Sequence, residues 1–171
     1  LVGDRNGMHA GAGVSVIMRY TLRLLTVQQF QRAAALVCAC EVIRRRLPEL
    51  GKEPYRIGLW VGDKTAPNRF IGAKKAIEDL KSQNYTDGGS PVQLLSCPRC
   101  GEELANDRGV PKGAAYTVDT EARRIRVLCP NFRCEMSEKK SRGEGVPVVV
   151  VDEELYRTCP SIIIATVDKF A

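Results

Sequence analysis

The stretch VPVVVVDEELYRTCPSIIIATVDKFA (146–171) is the part of the sequence that decides the fold class. Its two uncharged runs, VPVVVV and SIIIAT, are typical of strands in a parallel sheet whose two faces are covered by helices. Asp152 and Glu153 follow the first run directly, so one hypothesis is that this strand delivers carboxylates to a Mg²⁺–nucleotide site. Residues 152–160 are too few for a parallel crossover, which takes about a dozen residues or more. We therefore predict that the two strands are not consecutive neighbours in the sheet.

A phosphate loop should accompany acids that hold Mg²⁺, because its bare N–H groups wrap the phosphates and its lysine neutralises them. The pattern of Gly, four residues and Gly-Lys-Ser/Thr has its nearest approach at residues 8–15, where the first glycine and the lysine are both missing. We therefore expect this chain alone not to hydrolyse ATP. Asp152 is interpreted instead as the cap of a short helix, EELYRT, with Glu153 and Glu154 in its positive first turn.

Strand-like and helix-like segments alternate through the first half of the chain. VSVIM (14–18) and YRIGLWVG (55–62) are short apolar runs that predict buried strands. Each is followed by apolar residues at helical spacing, which predicts helices over 26–46 and about 70–82. Alternation of this kind is typical of an α/β fold with a parallel sheet, and we predict that fold class.

The first of these helices is predicted to begin at Thr26, because Thr26 and Gln29 have the spacing of a capping box. Pro48 follows its last arginines and would end it. Its buried face is predicted from the residues that recur at helical spacing: Phe30, Ala33, Ala34, Val37, Cys40 and Ile43.

Length, composition and charge limit the classes of protein to consider. The 171 residues suit one domain, and 44% hydrophobic with 27% charged residues is ordinary for a soluble globular protein. No apolar run is long enough to cross a bilayer and no secretory leader opens the sequence, so we expect a cytoplasmic protein without membrane contact. The net charge of +6 includes basic clusters at residues 44–46 and 123–126. Such clusters occur on solvated helix faces, but several in one domain favour a polyanionic partner, nucleic acid.

Four of the seven cysteines form two close pairs, Cys97-Pro-Arg-Cys100 and Cys129-Pro-Asn-Phe-Arg-Cys134. Two thiolates at such spacing can bind one ion if the chain turns tightly, and two turns supply the four sulfurs that suit tetrahedral Zn²⁺. Residues 115–128, between the pairs, predict a hairpin that turns near residues 119–122. This arrangement is typical of a zinc ribbon, so we predict a structural Zn²⁺ held by all four cysteines, with no open position for a substrate.

Other interpretations of the cysteines stay open on the sequence alone. The four could form disulfides, remain idle thiols, or act as a redox pair, although GEELANDRG after Cys100 is a poor match to the helix that a redox motif needs. The second pair also departs from the usual ribbon spacing, with four residues between its cysteines. Cys38, Cys40 and Cys159 are interpreted as small buried hydrophobes, and His9, the single histidine, as incidental.

Several segments together resemble the helicase of the DISARM anti-phage defence system, a motor of the superfamily-two type. They are VSVIMRYTLRLLTVQQFQRAAALVCACEVIRR, YRIGLWVG, the CPRC segment and VDEELYRTCPSIIIATVDKFA. The resemblance covers nearly the whole chain, and MRYTLRLLT and IIIATVDKFA are its most specific parts. It implies a piece of the first RecA-like domain, with the phosphate loop before Leu1 and the DExH-type acids beyond Ala171. ATP and Mg²⁺ would then bind only in the intact protein.

The domain organisation that follows is a partial RecA-like parallel sheet with a zinc-ribbon insertion, truncated at both ends. Residues 1–91 would form the first part of the RecA-like domain, with residues 1–13 as a loop. Residues 92–137 would be the zinc-ribbon insertion, and residues 138–171 would return to the sheet.

The resemblance also implies contacts with the nucleic-acid backbone. A strand-to-helix motif that grips this backbone in such helicases is matched here by four residues: Arg19, Tyr20, Thr21 and Arg23. SIIIATVDKF resembles a later motif usually seen as A-T-P-G-R, with Thr166 and Lys169 at its threonine and basic positions. Val167 and Asp168 depart from its proline and glycine, which leaves a role for Asp168 open. A strand end with a hydroxyl, N–H groups and a cation is also a favourable phosphate site on physical grounds.

Three functional hypotheses follow. The first is a fragment of an ATP-dependent DNA helicase or translocase of a bacterial phage-defence system, inactive by itself, with nucleic acid and other defence subunits as partners. The second is a non-enzymatic zinc-ribbon domain that binds nucleic acid, with arginines such as Arg99 and Arg133 beside the metal. The third is an ATPase site built on Asp152 and Glu153 in this chain.

Overall fold

The structure, a computed structural model, describes residues 13–82, 84 and 88–170. The helices and strands are, in chain order, β1 (Val16–Tyr20), α1 (Arg23–Arg46), β2 (Ile57–Trp60), α2 (Phe70–Lys81), β3 (Tyr116–Asp119), β4 (Arg124–Val127), α3 (Glu138–Ser141), β5 (Val148–Val149), α4 (Asp152–Thr158) and β6 (Ile162–Thr166). Two short 3₁₀ helices cover Pro48–Leu50 and Val167–Phe170. His9 lies outside the described residues.

Four strands form one parallel sheet in the order β1-β6-β2-β5. β6 lies between β1 and β2 and pairs in parallel with both, and β5 pairs with the outer side of β2. The parallel α/β sheet predicted from the sequence is therefore confirmed. β2 separates β5 from β6, which also confirms that these two strands are not neighbours in the sheet.

The two faces of the sheet are covered unequally. On one face, Ile57 and Leu59 of β2 and Ile164 of β6 are buried in the main core, which α1 and α2 also enter. On the opposite face a smaller core surrounds Ile163 and Ala165, and the short helix α4 covers it. The carboxyl ends of the four parallel strands meet at one edge of the sheet, where the predicted phosphate contacts are placed.

α1 begins three residues before its predicted start, and the capping-box prediction is wrong. Leu22 is the N-cap residue and offers no side-chain hydrogen bond. Thr26 lies inside the helix, fully buried, and its hydroxyl donates to the carbonyl oxygen of Leu22 at 2.9 Å. A threonine can satisfy its hydroxyl in this way within a helix, so its presence alone does not mark the first turn.

The buried stripe of α1 differs from the predicted face at three positions. Ala33 and Cys40 are half-buried and Ile43 is 50% exposed, so their predicted full burial is wrong. The stripe keeps the average helical spacing and is formed by Phe30, Ala34, Val37, Cys38, Glu41 and Val42. Steps of three residues from Val37 through Cys40 rotate away from this stripe by about 60° each. Glu41, a polar residue on the buried side, concealed the true spacing.

β1 is the least covered strand of the sheet, although it was predicted to be buried. It lies two residues later than predicted, and Val16, Ile17 and Met18 are each between 41% and 50% exposed. Within the described residues β6 is its paired strand, and its other edge carries no ladder. An apolar run therefore predicted a strand correctly but did not predict how much of it is covered.

The cysteine-containing part of the chain packs against the same core as the sheet. β3 and β4 form an antiparallel hairpin with Tyr116 opposite Val127, which confirms the predicted hairpin and its turn. Tyr116 is buried and its hydroxyl donates to the Leu94 carbonyl oxygen at 2.8 Å. The boundaries 92–137 and 138–171 stay predictions, and α3 follows directly after the first of these segments. Among the described helices, none is long and apolar enough to span a membrane.

Candidate metal centre and sheet-edge site

The four cysteines predicted as ligands come together in space. Their sulfur atoms all lie within 4.8 Å of one another. The Sγ atoms of Cys97 and Cys134 are 3.9 Å apart, and those of Cys100 and Cys129 are 3.5 Å apart. These distances exceed a disulfide bond of about 2.05 Å. Four sulfurs around an ion at about 2.3 Å lie about 3.8 Å apart in a tetrahedron, so the cluster is compatible with a bound metal ion.

The first pair of cysteines is held by a tight turn. The backbone N–H of Cys97 donates to the carbonyl oxygen of Glu102 at 2.7 Å, and that of Gly101 donates to Cys97 at 2.8 Å. Gly101 has a φ of +77°, a conformation that favours glycine. This glycine lets the chain reverse immediately after Cys100, so that both sulfurs point to the same side.

The second pair bridges its longer spacing with a loop of local hydrogen bonds. Asn131 accepts from the backbone N–H of Arg133 through its side chain and from that of Cys134 through its carbonyl, at 3.0 and 2.9 Å. The N–H of Met136 donates to the Cys134 sulfur at 3.4 Å. The four intervening residues therefore do not separate the two sulfurs from the cluster.

Burial makes this cluster a poor place for free thiolates. It raises the pKa of Cys134 to about 11. It also raises the pKa of Cys129, by a larger shift from the usual thiol value. Burial also acts to raise the pKa of the exposed Cys100, but hydrogen bonds from the Glu102 backbone and the neighbouring thiols lower it overall. Since a metal ion binds thiolates, its binding here would displace protons from the buried sulfurs.

The arginines near the cysteine segment are largely engaged with acids. Arg124 pairs with Glu154 at 2.9 Å, and only 14% of its side chain is exposed. Arg126 pairs with Asp119 and also donates to the Gly143 carbonyl oxygen. The charge cluster at residues 123–126 is therefore largely part of the internal structure.

The two segments predicted to contact nucleic acid lie side by side at the carboxyl edge of the sheet. β1 and β6 are paired in register, and Tyr20 stands opposite Thr166. Arg19 and Thr21 are exposed and Tyr20 is half-buried. Thr166 is buried, and its hydroxyl has no hydrogen-bond partner among the residues that the structure describes. The side chain of Arg23 lies outside the described part of the structure. The structure thus brings the two segments together at one edge of the sheet.

Lys169 and Asp152 form an ion pair that the sequence did not predict. The Lys169 ammonium donates to the Asp152 carboxylate at 2.7 Å and to the Asn68 side-chain oxygen at 3.3 Å. Asp152 is the first residue of α4 and makes no cap, since Val151 is the N-cap residue, so the predicted cap is wrong. Asp152 is 3% exposed, and its Oδ1 has no hydrogen-bond partner in the described structure.

The free energy of unfolding of the wild type is expected to fall relative to that of Asp152→Asn as pH rises from about 4 to about 7. Burial raises the pKa of Asp152 above its unfolded value, although Lys169 acts to lower it. The protonated form is therefore favoured in the fold, and this stabilisation is lost as pH rises through the folded pKa. Asparagine is uncharged, like the protonated carboxyl, so Asp152→Asn does not lose this stabilisation as pH rises.

Urea unfolding of the wild type and Asp152→Asn at both pH values measures the effect. Asp107→Asn, on an exposed loop, shows what the same change does without burial. A difference in stability between the wild type and Asp152→Asn that stays the same at both pH values would contradict the expectation.

Glu153 caps a helix other than its own. Its Oε2 accepts from the backbone N–H of Phe70, the first residue of α2, at 3.0 Å, and its Oε1 accepts from Arg123. The N-cap residue of α2 is Arg69, which makes no side-chain cap. The absence of a capping side chain directly before Phe70 was the one signal that a cap had to come from elsewhere.

An open groove of about 580 Å³ lies beside this ion pair. Arg69, Arg123 and Lys169 bring positive charge to its lining, and Asp152 and Glu153 bring negative charge. The exposed ring of Tyr156 forms part of the same wall. The groove therefore combines cations with an aromatic ring close to the carboxyl edge of the sheet.

Comparison with known proteins relates this chain to one defence-system protein. No family model matches the sequence. The chain is similar to the DISARM protein DrmA of Bacillus paralicheniformis, with 33% identity over 168 residues. The match covers 93% of this chain and 14% of the length of that relative. The similarity supports a relation between this chain and one segment of a DISARM protein.

Proposed function

We propose that this chain is a fragment of an ATP-dependent DNA helicase or translocase of a phage-defence system, in which it grips the nucleic-acid backbone. The pairing of β1 with β6 is the observation that carries the proposal. Tyr20 and Thr166 are far apart in sequence, yet both belong to segments with a backbone-gripping pattern and they stand opposite each other. The relation to a DISARM protein supports the biological setting.

The carboxyl edge of the sheet has the chemistry that such a grip requires. Arg19 brings a guanidinium that can pair with a phosphate, and Thr21 adds an exposed hydroxyl just after β1. Such contacts position a strand without reading its sequence. In the intact protein, ATP with Mg²⁺ would supply the energy that shifts this grip along the strand. In this chain the residues of the edge only bind and orient the backbone.

Asp152 has no place as a Mg²⁺ ligand in this proposal. The ammonium group of Lys169 lies 2.7 Å from its carboxylate, in the position that a cation would take. Glu153 is likewise engaged, with Arg123 and the backbone of Phe70. A Gly-Lys-Ser/Thr loop upstream in the intact protein would support the motor, and an intact protein without one would exclude it.

We also propose that the four-cysteine cluster holds a structural Zn²⁺. Cys97, Cys129 and Cys134 are buried, and only Cys100 is exposed. Four cysteine ligands fill a tetrahedral site and leave no position for a substrate, which favours a structural role. The ion would tie both cysteine pairs to the core that they share with the sheet.

Arg19→Ala is expected to reduce the salt dependence of DNA binding. Each phosphate contact adds about 0.9 to the slope of log affinity against log salt, so losing one contact lowers the slope by about one. Fluorescence anisotropy of labelled DNA at several salt concentrations measures the slope. The affinity for unrelated sequences should fall equally.

Arg133→Ala is the matched control, because Arg133 is an exposed arginine beside the metal cluster. An unchanged slope in Arg133→Ala together with a reduced slope in Arg19→Ala would support the sheet edge as the site of the phosphate contact. The reverse result would favour the non-enzymatic zinc-ribbon alternative.

Lys169 needs a paired design, because Lys169→Ala alone would leave the buried Asp152 without its partner. The double variant Asp152→Asn/Lys169→Gln is therefore compared with Asp152→Asn. A slope lower by about one in the double variant would support a phosphate contact by Lys169. Equal slopes would show that Lys169 contacts no phosphate and serves only in its ion pair with Asp152.

A further inference from the structure

Three aromatic rings cluster beside the proposed backbone grip. The ring of Phe170 lies 5.0 Å from that of Trp60 at an interplanar angle of 75°, and the ring of Tyr156 lies 6.1 Å from Trp60 at 85°. The Trp60 indole N–H donates to the Tyr156 hydroxyl at 3.1 Å. These edge-to-face contacts and the hydrogen bond hold the three rings in one arrangement.

The sheet register places this cluster next to Arg19. Arg19 of β1 and Trp60 of β2 both pair with Ala165 of β6, so the three residues form a row across three strands on one face. The small side chain of Ala165 leaves room above the row. Phe170 lies over it, with the Arg19 guanidinium carbon 5.4 Å from its ring centre. The cation most suited to a phosphate therefore borders the aromatic rings directly.

Two of the three rings are more open than a packing role requires. Trp60 is half-buried against the smaller core around Ile163 and Ala165, which explains its presence. Tyr156 is 60% exposed and Phe170 is 41% exposed. Because large aromatic rings gain stability mainly by burial, these two contribute little to the core for their size.

We propose that Tyr156 and Phe170, supported by Trp60, form a platform on which the bases of single-stranded nucleic acid stack. This inference rests on the proposed backbone grip and adds the form of the substrate. Aromatic platforms beside a cationic track bind single strands with little sequence preference, because every base has a flat π-face. A duplex keeps its bases stacked on one another, so the platform selects unpaired strands.

The surrounding charges fit a strand that crosses the cluster. Arg19 borders Phe170, and Tyr156 lines the groove that also contains Arg69 and the ion-paired Arg123. A strand whose bases occupy the rings would have phosphates near Arg19 and Arg69. Glu153 lies in the groove as well and would limit the number of phosphates that bind there.

The test compares oligo-dT with an abasic oligonucleotide of equal length, using the full chain and fluorescence anisotropy. The wild type should prefer the base-containing strand. Phe170→Ala and Tyr156→Ala should each weaken oligo-dT binding about tenfold, or about 1.4 kcal/mol, and leave abasic binding unchanged. Tyr156→Phe keeps the ring but loses the hydrogen bond from Trp60, so it should retain most of the wild-type affinity. Trp60 is the single tryptophan of the sequence, so its fluorescence should also change with oligo-dT more than with the abasic strand.

Phe132→Ala is the matched control, because Phe132 is a 73% exposed ring with Arg133 at 5.5 Å, away from the sheet edge. Its binding to both strands should equal that of the wild type. Equal wild-type affinity for both strands, with salt dependence intact, would overturn the platform and leave the backbone grip standing. Binding of neither strand would overturn both. A folded Phe170→Ala variant with unchanged oligo-dT affinity would remove Phe170 from the platform and overturn the proposal as stated.

Discussion

Removal of the metal is expected to unfold the cysteine segment and to weaken the whole chain. Structural zinc sites in small domains contribute about 10–16 kcal/mol of apparent binding free energy, which becomes folding free energy. Here the segment also supplies Leu94, Leu104 and Tyr116 to the core that contains the buried strands. Cys97→Ser should therefore abolish metal binding and expose that core.

Native mass spectrometry should show about one metal ion per wild-type chain and none in Cys97→Ser. Circular dichroism and limited proteolysis then report the loss of structure in the variant and in chelator-treated wild type. Cys159→Ser is the matched control, because Cys159 lies outside the cluster and is exposed, so its interpretation as a buried hydrophobe is wrong. A fully folded chain without metal would contradict both the site and its structural role.

Glu154→Ala is expected to destabilise the fold by about 3 kcal/mol, since breaking a buried ion pair leaves a charge without compensation. Glu154 is 1% exposed and accepts from Arg124 at 2.9 Å and from the backbone N–H of Ile125 at 3.3 Å. Arg124 keeps a longer contact with Glu144 at 3.5 Å, which places the loss at the low end for buried pairs. Urea unfolding measures the difference.

A surface ion pair provides the comparison. Glu103 and Lys112 lie 3.1 Å apart, but both side chains are about half exposed, so Glu103→Ala should cost only about 0.2–1 kcal/mol. Replacing both Glu154 and Arg124 by leucine should recover most of the loss, because no unpaired charge then stays buried. Equal losses in Glu154→Ala and Glu103→Ala would show that burial does not strengthen this pair.

The parallel sheet and the four-cysteine cluster were predictable because their signals are local. Uncharged runs predicted the strands, the short interval at residues 152–160 excluded adjacency of β5 and β6, and cysteine spacing predicted the cluster. Each of these inferences depends on distances along the chain that backbone geometry limits strictly. None of the three inferences depends on which side chains contact each other across the fold.

The errors concern polar residues whose partners are distant in sequence. Glu41 is buried because it accepts from Arg44, Arg45 and the backbone N–H of Tyr55, so hydrophobicity alone placed the buried face of α1 wrongly. Asp152 had the position expected of a cap, but Lys169 provided a stronger partner. Short-range patterns contain no information on such partners, since the fold must form before they meet.

The position of β6 has a consequence for the order in which the chain can assemble during synthesis. A ribosome makes Ile162–Thr166 after the other described strands, yet this strand lies between β1 and β2 and joins them. Until β6 is synthesised, β1 has no paired strand among the described residues, and the apolar side chains of β1 are exposed to solvent. Long-range pairing of this kind slows folding and leaves strand edges exposed to wrong partners. The described sheet therefore stays divided between β1 and β2 until β6 has been synthesised.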